Sequence, residues 1–303
     1  MTPHLPVLIA VMTLLQAGAA TPAAEELALT VSAAARSLRP GEVVLLTVKS
    51  GRPLDKVQGT TFGRAVPFYP TDNPAVWRAL VGIDLDTAPG AYSIAVEAWA
   101  GQTEGATTRP LQIVRRTYRT RNLTIPEAFV TPPVSARERI ERERERMQAV
   151  FSTPSPQRLW SGRFARPAPG AVVSGFGTRS VLNRTPAAPH AGTDFRAPEG
   201  APIRAPNAGR VVLADDLYFS GGTVIIDHGL GLYSILGHLS RISVHESDRV
   251  ARGDVVGAAG STGRATGPHL HWSVRLTDAR VDPLSLVAVL ARTSQQSGAG
   301  SPR

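Results

Sequence analysis

His269 and His271 stand two positions apart in Gly-Pro-His-Leu-His-Trp. In an extended chain successive side chains point to opposite faces, so this spacing puts both imidazoles on one face of a β-strand. His190 and Asp194, four apart in Pro-His-Ala-Gly-Thr-Asp-Phe, are expected to share a face in the same way, and His238 closes the apolar run Leu-Tyr-Ser-Ile-Leu-Gly-His. The second half of the chain is thereby committed to strands that present polar groups to one side. Catalytic zinc takes three protein ligands from His, Asp, Glu or Cys and keeps a fourth position for water or substrate. Five candidate groups exceed three, which leaves two imidazoles to handle protons at neutral pH.

Singly, an HxH or an HxxxD is a weak signal. Their order and flanks say more. HxxxD, then a strand ending in His-Leu-Ser, then Gly-Pro-His-Leu-His-Trp resembles the M23 family of peptidoglycan endopeptidases, of the lysostaphin and LytM type. The resemblance extends from about Val173 to Leu286 and includes Gly-Phe-Gly-Thr-Arg at 175–179 and Ala-Pro-Ile-Arg-Ala-Pro-Asn-Ala-Gly-Arg-Val-Val from Ala201. It implies that His190, Asp194 and His271 hold one Zn²⁺ per chain, that His269 and His238 are the catalytic pair, and that the substrate is peptidoglycan. On that implication His269 is expected as the base and His238 as a protonated stabiliser of the oxyanion, with shared or reversed roles left open. Among the M23 endopeptidases some cut glycine bridges and others D-alanyl to diaminopimelate bonds; the accessory domain favours a D,D-endopeptidase here. The alternative is a non-catalytic LytM-type regulator of cell-wall amidases, although every ligand position is filled.

The remaining histidines call for plainer readings. His228, just before a Gly-Leu-Gly turn, is expected to satisfy a hydrogen bond near that turn, His245 to be solvated, and His4 to lie in a segment that is removed.

The fold class expected is mostly β. An N-terminal immunoglobulin-like β-sandwich is read over 27–118, from six or seven short strands punctuated by Arg39-Pro40-Gly41 and Ala88-Pro89-Gly90. Alternation puts Val44, Leu46 and Val48 on one face of one strand, and Tyr92, Ile94, Val96 and Ala98 on one face of another. A linker with a Glu/Arg-rich helix occupies 119–160. Ser135-Ala136-Arg137-Glu138 has the form of a capping box, and Ile140, Met147, Val150 and Phe151 form a narrow apolar stripe. This helix is expected to dock by one edge; covering the active groove, and so keeping the enzyme latent, is the second reading. The C-terminal antiparallel β-sheet LytM-type peptidase domain is read over 161–291, and 292–303 as a disordered tail.

Residues 1–19 read as a signal peptide, with an apolar stretch from Leu5 to Leu15 and Ala17-Gly18-Ala19 for cleavage, although no Lys or Arg precedes the stretch. The run is too short to span a bilayer, so no stable membrane span is expected after cleavage, and the product is expected to be secreted, periplasmic or extracellular. There is no cysteine, so stability falls to core burial and the metal site. A net charge of +9, carried almost wholly by Arg, suits an anionic polymer. No aromatic-basic motif accompanies it, and nucleic acid is not expected as a partner. An activating envelope protein remains an open expectation.

Overall fold

The computed structural model describes residues 26–298. The expected signal peptide and His4 lie outside the described residues. The first unit contains β1 (Leu29–Ala34), β2 (Val43–Ser50), β3 (Lys56–Thr61), β4 (Arg64–Ala65), β5 (Tyr69–Pro70), β6 (Val76–Gly82), β7 (Gly90–Ala100) and β8 (Thr103–Ile113). They make two antiparallel sheets, β1-β2-β6-β5 and β4-β3-β7-β8. The count exceeds the expected six or seven because β4 and β5 are two residues each, too short to show alternation. Val44, Leu46 and Val48 meet Ile94, Val96 and Ala98 in the core between the sheets, as their alternation predicts.

The opposite face of β2 is also buried. Val43 and Leu45, with Tyr69 and Leu80, belong to the core of the C-terminal unit, beside Val281, Leu286 and Leu290. The unbroken apolar run Val43–Leu46 is what a strand covered on both sides requires. Burial of each such side chain contributes about 1.5–3 kcal/mol, so the sandwich is fastened to its neighbour by core packing. Charge pairs surround this contact. Glu42, only 4% exposed, accepts two bonds from the Arg36 guanidinium at 2.9 Å, one from Arg116 at 3.1 Å and one from Ser285 Oγ at 2.7 Å. Arg36 also reaches Asp282 at 2.5 Å, and Arg280 pairs with Asp84 and Asp86.

A connecting segment follows, with β9 (Thr120–Leu123), a 3-10 turn at Glu127–Phe129 and α1 (Val134–Ser152). The expected capping box does not form: Pro133 is the N-cap and no side chain caps the N-terminus of the helix. Pro132 and Pro133 fix extended backbone up to Val134, so the helix starts two residues early and Ser135 lies inside it. Met147, Val150 and Phe151 pack on Leu213, Leu217, Ile225 and Tyr233. Arg139 bonds Asp216, and Arg146 bonds Asp215 and Glu246.

The C-terminal unit comprises β10 (Val172–Ser174), β11 (Arg179–Leu182), β12 (Thr185–Pro186), β13 (Gly192–Arg196), β14 (Pro202–Arg204), β15 (Gly209–Leu217), β16 (Gly221–Gly229), β17 (Leu232–Ile242), β18 (Arg249–Val250), β19 (Val255–Ala259), β20 (His269–Leu276), β21 (Ala279–Val281) and α2 (Pro283–Gly298). Its main sheet runs β10-β13-β20-β17-β16-β15-β18. One face is the hydrophobic core with Phe195, Leu270 and Trp272; the other carries α1 at one end and the histidines at the other. A small sheet, β12-β11-β9, stands beside them, with β9 added parallel to β11. Trp160 and Phe164 of the Pro-rich connection are core residues. The tail expected to be disordered from 292 is helical as far as Gly298. The docked stripe of Leu286, Val289 and Leu290 nucleates the helix, and each further residue then adds a bond at small cost. Residues 299–303 lie outside the described residues.

Candidate active site

Strand alternation and register build the site. On β20, Leu270, Trp272 and Val274 are buried in the core, so His269 and His271 project from the other face. Asp194 of β13 pairs with His271 across the ladder, and Gly237 of β17 pairs with His271 on its other side. His190 is not on that strand, as its spacing from Asp194 had suggested. It precedes β13 in a loop held by backbone bonds from Gly177 N to His190 O (2.7 Å) and from His190 N to Thr178 O (2.9 Å). Gly192 is required between them, since a Cβ there would stand 2.6 Å from His271 Cε1.

His238 does not end its strand. It sits inside β17 at a register shift against β16, with φ +64°, an uncommon conformation for a residue with a Cβ. The bulge turns its ring toward the other histidines: the centroids of His238 and His269 are 4.7 Å apart, and those of His238 and His271 5.8 Å. Its backbone N donates to Ser220 O at 2.7 Å, which holds the bulge.

Three ligand-type atoms converge. His190 Nε2 lies 3.0 Å from Asp194 Oδ1 and 3.1 Å from His271 Nδ1, and His271 Nδ1 lies 2.9 Å from the same carboxylate oxygen. Ligand atoms of a tetrahedral zinc at its usual bond lengths stand roughly 3.4 Å apart, so this triangle needs only slight opening to hold the ion. The tautomers fit as well. His190 Nδ1 faces Gly175 O at 3.1 Å, His238 Nδ1 faces Thr262 O at 2.8 Å, and His269 Nδ1 faces Gly267 O at 2.7 Å. A carbonyl cannot donate, so each Nδ1 carries the proton and each Nε2 is a bare lone pair.

Electrostatics follow from burial. Burial opposes ionisation of Asp194, but the adjoining imidazoles of His190 and His271 outweigh it and hold the carboxyl far below the usual range. Burial, with His271 and His269 nearby, pushes His238 down to about 4, so it is neutral at pH 7 and not the cation expected for an oxyanion stabiliser. Burial likewise lowers His271. His228 is fully buried and structural: Nδ1 meets Ala208 O at 2.7 Å and Nε2 meets Ser234 Oγ at 2.9 Å, partners across strands and not in the turn. The side chain of His245 is 93% exposed.

The histidines line a cleft of about 650 Å³. One wall includes Arg121, Leu123 and Ile125 in and just after β9, the segment read from sequence as linker; another includes Phe219 and Arg264. α1 does not line this cleft. A larger cavity of about 1460 Å³ lies between the sandwich and the end of α1, lined by residues such as Phe68, Met147, Phe151 and Arg275, and it contains none of the site histidines.

Residues 188–283 match the model of peptidase family M23. Peptidoglycan DD-endopeptidase ShyA of Vibrio cholerae is 42% identical over 87 residues, 29% of this chain and 20% of that protein. DD-carboxypeptidase/endopeptidase Mpg of Neisseria meningitidis is 40% identical over 97 residues, 32% of this chain and 22% of that protein. The match therefore spans about a fifth of the length of these curated relatives. A crystal structure from Pseudomonas aeruginosa, described as an M23 peptidase, superposes with a TM-score of 0.65 at 34% identity, over 84% of this chain and 96% of that one. With the relatedness extending across nearly the whole of that structure, and with the matched segment containing the assembled histidines and aspartate, the chain belongs to peptidase family M23.

Proposed function

We propose that this protein is a zinc-dependent endopeptidase of bacterial peptidoglycan, exported to the periplasm or beyond, that cuts the D-alanyl to diaminopimelate crosslink. The observation that carries the reading is the triangle of His190 Nε2, Asp194 Oδ1 and His271 Nδ1, with edges of 2.9–3.1 Å, beside two imidazoles whose Nε2 atoms are bare. The matched relatives carry names that fit this activity.

His190, Asp194 and His271 would hold the zinc. When bound, the ion supplies Lewis acidity and a water acidic enough to attack at neutral pH. The chain's own groups do the rest. The bond from His269 Nδ1 to Gly267 O fixes the ring with Nε2 toward the cleft, 3.9 Å from Asp194 Oδ1, where it can take the proton of an attacking water and return it to the leaving amine. His238 enters neutral. Its Nε2 can accept the second water hydrogen and orient the attack, and it can donate to an oxyanion only after gaining a proton. This moves His238 from charged stabiliser to water-orienting acceptor at the start of the reaction.

The test is metal content and cleavage of purified crosslinked muropeptide dimers on one preparation, with His269→Ala alongside. One zinc per chain, with dimer loss that the variant lacks, is the expected result. Zinc-loaded protein that leaves every dimer intact would sink the proposal.

A further inference from the structure

The cleft contains a guanidinium that the hydrolytic reading does not use. Arg264 is exposed along the cleft wall, its Cζ 5.0 Å from the centre of the Phe219 ring. Among the described residues no carboxylate pairs with it. Eight other arginines (Arg36, Arg116, Arg139, Arg142, Arg144, Arg146, Arg275 and Arg280) pair with acids at the domain contact, on the helix or at the far end of the sheet, and none of these lines the cleft. Asp194 is the one carboxylate among the described residues that line the cleft, and its charge is committed to the histidines around it.

The position of Arg264 is built. Its backbone N donates to Phe219 O at 2.8 Å. Gly263, at φ +66°, lies so close to Gly221 and Phe219 that a Cβ would collide with their backbones, and a Cβ on Gly221 would collide with Thr262. Thr262 Oγ1 accepts from Gly222 N and donates to Leu239 O, both at 2.9 Å. Thr262 O is also the acceptor for His238 Nδ1. One pair of interlocked loops therefore sets both the catalytic imidazole and the guanidinium.

We propose that Arg264 is a substrate-recognition residue that binds a free carboxylate on the amine side of the scissile bond, so that the site selects acidic crosslinks over uncharged ones. The inference rests on the peptidase reading above. In a crosslink between D-alanine and diaminopimelate, the carbon bearing the scissile nitrogen also bears a carboxylate; a glycine bridge has none at that place. A planar guanidinium set over an aromatic ring, with no carboxylate of its own, keeps N–H groups for a two-pronged bond to such a carboxylate. Arg121 is the other arginine that lines the cleft, and its Nε donates to Ser180 Oγ at 3.3 Å.

The experiment compares two muropeptide dimers that differ only in whether this diaminopimelate carboxylate is free or amidated, using the zinc-loaded full chain. The free acid should be cut with kcat/KM about tenfold or more above the amide, chiefly through KM. Arg264→Gln should abolish the preference with an unchanged melting temperature, and Arg264→Lys should restore part of it. Equal rates on the two dimers in the native protein, a preference that survives in Arg264→Gln, or one lost only in Arg121→Gln would each overturn the assignment. Binding to the His269→Ala protein separates this failure from failure of the peptidase reading. Tighter binding of the acid that depends on Arg264, with no cleavage by the native protein, would retain the carboxylate site and discard the hydrolase; no preference in binding would discard the site.

Discussion

The sandwich contact and the cleft are both rich in charge, and they dispose of it in opposite ways. At the contact every charged group named has a partner: Glu42 is enclosed by Arg36, Arg116 and Ser285, and Asp282 is reached by both guanidinium groups. In the cleft, lone pairs on His190, His238 and His269 and the guanidinium of Arg264 lack the complement that chemistry would give them. Groups that complete one another within the chain hold it together, while groups left incomplete await something from outside. Exposure alone would not separate them, because Asp194 and His238 are as well buried, at 7% each, as many core residues.

The contrast breaks most visibly at the metal triangle. Asp194→Ala or His271→Ala should lower zinc affinity by more than the roughly 10–100-fold that loss of an outer-shell partner costs, and should remove dimer cleavage, as read by chelator competition and muropeptide analysis. His269→Ala should keep most of the zinc and lose turnover; the reverse pattern would refute the roles assigned here. At the contact the effect should fall on stability. Glu42→Ala leaves Arg36 and Arg116 without their main acceptor inside an apolar surround, and should cost about 3 kcal/mol in urea unfolding while sparing activity per folded molecule.

A third test uses pH. The folded pKa of His228 is lowered to about 4 by burial, so the folded chain refuses a proton that the unfolded chain takes up below about 6.5. Its stability contribution is complete above that pH and is lost as pH falls toward 4, by about 3 kcal/mol. The difference in unfolding free energy between native protein and His228→Gln should shrink across this window; a constant difference would show that the ring is not held neutral. The smallest effect belongs to the solvated helix: Arg142→Ala, which removes the exposed pair with Glu138, should change stability by less than about 0.5 kcal/mol.

The shared face of His269 and His271, and their place beside Asp194, were legible because alternation on β20 is geometric and the flanking motifs are long. His190 and His238 were legible as residues but not as geometry. One arrives by a loop and the other by a bulge, and neither departure from regular strand is encoded in spacing. The double burial of β2 was present in the run Val43–Leu46, but one apolar strand does not reveal which unit its second face will meet. β9 was missed because four residues cannot display a period, and because the partner that makes them a strand lies more than fifty positions away. Arg264 was hidden among small loop residues, and only its place in the cleft, beside the Phe219 ring and away from any carboxylate partner, singles it out.

The parallel addition of β9 to β11 has a consequence for what counts as the enzyme. A fragment starting at Ser161 would include every histidine of the site and yet lack Arg121, Leu123 and Ile125, so its cleft would be a trough open along one flank. The lining of the cleft is thus apportioned between two stretches of chain that the motifs alone would assign to different modules. Exchanging the N-terminal part for that of a relative would exchange one flank of the cleft with it.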